Sequence, residues 1–113
     1  MHELSITEDI LRIALSEIDR SNYKKITKLN IIIGDLSGVT SENIKYYFEI
    51  LSKDTPASDA ILKFKYNKSK FQCNKCNQIY ERCNFSILCP HCNSSGVIVE
   101  SHTSLYIESL EVE

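Results

Sequence analysis

The chain contains no run of apolar residues near the length of a membrane span, which needs about 20 in succession. No membrane-spanning helix is therefore expected. It also lacks a surplus of positive charge: the net charge is -2 and the pI is about 5.9. The molecule as a whole exerts no electrostatic pull on nucleic acid. Glycine is scarce, with 3 residues. Gly34 and Gly38 flank Ser37, but neither a P-loop lysine nor a dinucleotide fingerprint accompanies them. The segment Gly34-Asp35-Leu36-Ser37-Gly38-Val39 reads as a turn that feeds a helix. The opening Met1-His2-Glu3-Leu4 lacks the basic leader and apolar region of a secretory signal, so none is expected. What remains is ordinary globular composition, 42% hydrophobic and 25% charged over 113 residues. That length suits one domain, or one domain carrying a small metal-stapled lobe.

Cysteine, by contrast, is concentrated. All 5 lie between Phe71 and Ile98, and four form the pairs Cys73-x-x-Cys76 and Cys89-Pro90-His91-Cys92. Two intervening residues bring both sulfurs of a pair to one side of a tight turn. Two facing pairs then make a tetrahedral thiolate cage, which zinc usually occupies. The gap of twelve residues between the pairs is shorter than the usual roughly 15–20 but long enough for a hairpin. A closed site of four thiolates leaves no coordination position for water, so it does no hydrolytic chemistry. Function must be sought elsewhere. Cys83 stands apart from both pairs and reads as a spare thiol. His91, between two ligands, reads as a neighbour of the site or a solvent-facing group. Asn77 and Asn93 follow the two pairs, where a left-handed backbone is needed that asparagine tolerates. Thiols in metal-type pairs without a visible signal point to a reducing cytosol.

The second feature is the chain start. His2 is too bulky for routine trimming of Met1. The Met1 amine, the His2 backbone nitrogen and the His2 imidazole then close two fused chelate rings on one metal. Planar nitrogen ligation favours Ni(II) or Cu(II), with a fourth ligand from elsewhere. A histidine at position two is common without any metal, so this pattern alone decides nothing.

The periodicity predicts a helix over Ile6–Arg20, with Ser5 and Glu8 at capping-box spacing. Its apolar stripe is a packing face. Ile26–Ile33 reads as a buried strand stopped by Gly34. A second helix follows a Thr40 or Ser41 cap and carries Ile44, Tyr47, Phe48 and Leu51 on one face. It ends before Pro56. Ala60–Tyr66 alternates as a half-exposed strand. The basic residues Lys63, Lys65, Lys68, Lys70, Lys75 and Arg82 balance the charge of about -2 on a zinc held by four thiolates. A last strand, Ser104–Val112, changes phase, so a bulge near Glu108-Ser109 or burial of both faces is expected. The fold class is thus α+β: a sheet of about three strands packed with two helices, carrying an inserted zinc-ribbon-like lobe. Residues 1–68 and 100–113 form the first unit and residues 69–99 the insertion. His102, at the re-entry point, reads as a loop histidine rather than the fourth metal ligand.

Met1-His2-Glu3-Leu4-Ser5, Gly34-x-x-Ser37-Gly38-Val39, the paired cysteines and the ending Leu105-x-Ile107-x-x-Leu110-Glu111-Val112 together resemble the HypA/HybF hydrogenase nickel-incorporation proteins, nearly end to end. No single motif is decisive; their order at this length is specific. The resemblance implies a nickel metallochaperone, not an enzyme, for maturation of nickel-iron hydrogenases. It places nickel on Met1 and His2, with Glu3 in the same motif, and structural zinc on Cys73, Cys76, Cys89 and Cys92. It implies a cytoplasmic protein, monomeric or weakly dimeric, that works with a partner GTPase and the hydrogenase large subunit. Urease maturation proteins are further implied partners. Asn77 and Asn93 depart from the glycine frequent there, and Cys83 is outside the family pattern.

Two other classes fit parts of the chain. A zinc-ribbon nucleic-acid-binding or protein-interaction module would use the Lys63–Arg82 face, but those lysines lack an aromatic stacking platform. A rubredoxin-type iron carrier would use the same four cysteines. It would leave the helical part without a purpose.

Overall fold

The computed structural model describes residues 3–82 and 86–113, so Met1, His2 and Cys83 lie outside the described residues. In chain order the elements are α1 (Glu3–Ser21), β1 (Ile26–Gly34), α2 (Ser41–Leu51), β2 (Ile61–Asn67), β3 (Lys70–Cys73), β4 (Ile79–Glu81), β5 (Gly96–Glu100) and β6 (Leu105–Val112). The strands form two three-stranded sheets, ordered β2-β1-β6 and β4-β3-β5. The architecture is α+β, as its sequence pattern predicts.

β1 is the centre of the first sheet. It pairs parallel with β2 and antiparallel with β6. Ile26, Leu29, Ile31 and Ile33 are almost wholly buried and pack with Ile10, Leu11, Ala14 and Ile18 of α1 and Ile44 and Phe48 of α2. Each of the Ile, Leu and Phe side chains contributes about 1.5–3 kcal/mol on leaving water. β6 slips register opposite Asn30 and Ile31: Asn30 faces Ser109 and Ile31 faces Ile107, so Glu108 is the extra residue. The phase change in the sequence is this bulge.

α1 begins at Glu3, three residues before the position its apolar period suggests. Ser5 lies inside the helix and caps nothing, which corrects the capping-box reading. The Thr7 hydroxyl donates to the Glu3 carbonyl at 2.6 Å, and the Glu3 side chain is held by α2. Those contacts draw the helix back. It ends where Asn22 takes a φ of 61°, a left-handed stop that asparagine supplies at low steric cost.

The chain leaves the first sheet through Lys68-Ser69 and returns through Ser101–Ser104, and the turn after β1 fastens both connections. Asp35 N–H donates to Asn67 C=O at 3.0 Å, and Leu36 N–H donates to His102 C=O at 3.1 Å. Gly34 N–H donates to Ser104 C=O at 2.7 Å. A Cβ on Gly34 would sit 2.4 Å from the His102 carbonyl oxygen, so only glycine fits. The second sheet has its own small core: Phe71 stacks on Tyr80 at 5.5 Å, beside buried Cys73 and Cys89. The Tyr80 hydroxyl donates to Ile87 C=O at 2.6 Å. The molecule measures 55 × 23 × 18 Å, and among the described residues no helix is long and apolar enough to cross a membrane.

Candidate metal centre

Each cysteine pair ends in a turn of the same design. Asn77 N–H donates to Cys73 C=O at 3.2 Å, and Asn93 N–H donates to Cys89 C=O at 2.8 Å. Asn77 and Asn93 have φ of 59° and 62°, the left-handed conformation these turns need. In the first turn Lys75 N–H and Cys76 N–H point at Cys73 Sγ, at 3.4 and 3.5 Å. Such donors stabilise thiolate and fix its direction. Asn74 N–H donates to Ser95 C=O at 3.1 Å and joins the two turns.

The turns bring the four sulfurs within 4.8 Å of one another. Cys73 and Cys92 Sγ are 3.3 Å apart, and Cys76 and Cys89 Sγ are 3.6 Å apart. A tetrahedron with Zn–S near 2.3 Å has S···S edges of about 3.8 Å, whereas a disulfide is about 2.05 Å. The cluster therefore has the dimensions of a metal cage, and its donors fit a structural zinc ion. Cys73 and Cys89 are buried, Cys92 is half-buried and Cys76 is exposed.

The electrostatics give the same answer. The Ser94 backbone N–H, then hydrogen bonds with Cys73 and the Ser94 side chain, bring the Cys92 thiol down to about 6. For Cys76 the Gln78 backbone N–H pulls downward, but desolvation and the sulfurs of Cys73, Cys89 and Cys92 together push it up to about 12. Four sulfurs this close resist carrying four charges unless a cation lies among them. Zinc is such a cation, and with four thiolates its coordination is complete. His91, on the second turn, is exposed.

Glu3 begins α1, in the first of the two sheet-based parts of the fold. Its Oε2 accepts from Thr40 N–H at 3.2 Å and lies 3.5 Å from the Thr40 hydroxyl. Its Oε1 accepts from Asn43 Nδ2–H at 3.0 Å. Thr40 is the N-cap of α2, with its hydroxyl accepting from Asn43 N–H at 3.3 Å. Ser41 N–H donates to the Tyr66 hydroxyl at 3.1 Å. A cleft of about 750 Å³ opens beside this helix start, lined in part by Asp35, Thr40, Tyr66, Lys68 and Arg82. His102 belongs to a different neighbourhood: its imidazole is 3.7 Å from Glu100, and its backbone bonds Ser69 and Leu36. Thr40 and Asn43 have no metal-site signature in the sequence. Only the cap preference of Thr40 marks that place.

Residues 1–112 match the family model described as hydrogenase/urease nickel incorporation, metallochaperone, HypA. The hydrogenase maturation factor HypA of Caldanaerobacter subterraneus subsp. tengcongensis is 41% identical over the full length of both chains. That of Dehalococcoides mccartyi is 35% identical, over all of this chain and 95% of the relative. The solution structure of the Ni metallochaperone HypA from Helicobacter pylori matches with a TM-score of 0.66 at 22% identity, over 99% of this chain and 97% of that one. That likeness is one of fold.

Proposed function

The chain belongs to the HypA family of hydrogenase/urease nickel-incorporation metallochaperones, and we propose that Met1 and His2 carry its nickel, with Glu3 assisting from the start of α1. The protein is a nickel metallochaperone for hydrogenase maturation with a structural zinc site. The observation that supports the assignment of the N-terminal tip is that the family match starts at residue 1 and so includes Met1-His2-Glu3.

The chemistry of the tip is exchange. The Met1 amine, the His2 amide and the His2 imidazole grip Ni(II) in one plane, and a partner offering better ligands takes it away. Copper outbinds nickel at such nitrogens, so selectivity comes from metal supply and partner contact. Cys73, Cys76, Cys89 and Cys92 hold zinc that gives shape and takes no part in transfer. Residues 69–99 act as an inserted domain between the halves 1–68 and 100–113. Neither metal site carries out catalysis on a substrate. The partners are a maturation GTPase and the hydrogenase large subunit, with urease maturation proteins as further recipients, all in the cytoplasm.

Replacement of His2 by Ala tests this directly. Titration calorimetry should show nickel binding abolished, with zinc content unchanged. Unchanged nickel affinity would defeat the assignment.

A further inference from the structure

The edge strands are β2 and β6 in the first sheet and β4 and β5 in the second. An edge strand offers unpaired N–H and C=O groups, and charged side chains normally discourage another strand from adding there. β2 carries exposed Lys63 and Lys65, and β6 carries exposed Glu108 and Glu111. β4 is only 3 residues long and ends in Glu81. β5 differs. Its stretch Ser95-Gly96-Val97-Ile98-Val99 bears no charge. Val97, Ile98 and Val99 are 53%, 54% and 50% exposed. We propose that this edge is a homodimer interface, in which β5 pairs antiparallel with β5 of a second copy about a two-fold axis at Val97. The inference is independent of where nickel is carried.

Hydrogen-bond phase fixes the register. Asn74 N–H donates to Ser95 C=O at the foot of the β3–β5 ladder. Bonded and non-bonded residue pairs alternate along an antiparallel ladder. Gln72 and Val97 are therefore a bonded pair, whereas Gly96 and Ile98 turn their N–H and C=O groups outward. Val99 is an extra residue opposite β3, and this bulge ends the regular edge just beyond Ile98. Only one two-fold register engages the outward groups of both Gly96 and Ile98. Gly96 of each copy lies opposite Ile98 of the other, and Val97 lies opposite its own equivalent. The second sheets of the two copies then become one continuous sheet, through an interface that is the same patch on both.

The side chains favour a second copy at β5 and nowhere else. At the axis Val97 meets Val97, with Cβ atoms about 4.5–5.5 Å apart, as suits a β-branched pair. Ile79 is on the same face as Val97, on the other side of Gln72, and is also exposed. On the opposite face Ile98 stands over Gly96 of the second copy, which has no side chain in its way. No like charges meet. Pairing β2 with itself would set Lys63 against Lys65, and pairing β6 with itself would gather Glu108 and Glu111 of both copies. A contact of 5 residues per strand falls below the roughly 1,200 Å² of stable complexes, so the dimer is weak and concentration-dependent.

Sedimentation velocity of the zinc-loaded full chain tests this. The weight-average mass should rise with concentration toward twice that of the chain. Val97→Lys sets two ammonium groups face to face at the axis and should weaken association about tenfold. Val97→Glu should do the same. An equimolar mixture of the two variants should recover association to within about threefold of the parent, because opposite charges then meet across the axis. Ile61→Lys, at an exposed apolar position on β2, should leave association unchanged. In the unsubstituted protein, amide hydrogen exchange should slow with rising concentration, most at Gly96 and Ile98.

A parent that stays monomeric at every concentration would overturn the inference. So would a mixture no more associated than its components, or Gly96 and Ile98 amides whose exchange ignores concentration. The exchange measurement needs no substitution, so it decides the matter for a variant that loses its zinc.

Discussion

Asp35 Oδ1 accepts two hydrogen bonds from Ser69, from its backbone N–H at 3.0 Å and from its hydroxyl at 2.7 Å. Ser69 is fully buried, and its hydroxyl oxygen in turn accepts from His102 N–H at 2.9 Å. One carboxylate from the turn after β1 thus fixes both strands of chain that lead to the second sheet. Asp35→Ala would leave buried donors on Ser69 unmatched, a cost of about 1–3 kcal/mol. Thermal unfolding should register that loss, and residual dipolar couplings should show the second sheet reorienting freely against the first. Asp35→Asn retains an acceptor oxygen and should be milder. An alanine variant with parent stability and parent couplings would show that Asp35 does not fix the junction.

Zinc removal should act locally. Phe71, Tyr80, Cys73 and Cys89 are the only buried hydrophobic members of the second cluster among the described residues. That is too little apolar burial to hold β3, β4 and β5 together without metal. Among the described residues the first sheet has its own core of twelve buried residues. Chelation, or Cys73→Ser, should abolish the Phe71–Tyr80 near-ultraviolet signal and leave the helical circular dichroism in place. Global loss of helix would contradict the modular account.

The turns after the cysteine pairs demand a left-handed residue. Asn77→Ala forces a Cβ-bearing residue without a compensating side-chain amide into φ near 59°. That should cost about 1–2 kcal/mol, whereas Asn77→Gly should be neutral or mildly stabilising. Zinc affinity measured against a competing chelator should rank glycine and asparagine together and alanine below them.

Nickel and zinc should part company on acidification. Nickel at the proposed Met1-His2 site would need a neutral imidazole and a neutral terminal amine, groups whose ordinary pKa values are about 6.5 and 7.7–8.0. Both are protonated as pH falls, so nickel binding is present above that range and lost through it. Zinc should remain at a pH where nickel has left, because four thiolates share the metal and two of them, Cys73 and Cys89, are buried. Metal content after dialysis from pH 8 to pH 6 checks this; loss of zinc before nickel would reverse the order.

Much of this architecture is written locally in the chain. The isoleucines of β1 mark a buried strand, and the apolar phase change around Glu108 marks the bulge by which β6 joins it. The two cysteine pairs converge as their spacing requires, and Asn77 and Asn93 adopt the backbone that their turns need. The start of α1 was not legible, because what draws it to Glu3 lies 37 and 40 residues away on Thr40 and Asn43. Ser5 and Glu8 offered a local cap that this distant contact overrides. The Asp35–Ser69–His102 fastening was hidden for the same reason: its partners are 34 and 33 residues apart, and none has a periodic signature.

The most direct test of the account is nickel K-edge X-ray absorption on protein with an intact Met1, loaded with one equivalent of Ni(II) over bound zinc. With nickel on Met1 and His2, the expected spectrum is that of a planar first shell of nitrogen and oxygen with no sulfur neighbour. A shell with Ni–S scattering, placing the metal among Cys73, Cys76, Cys89 and Cys92, would contradict it.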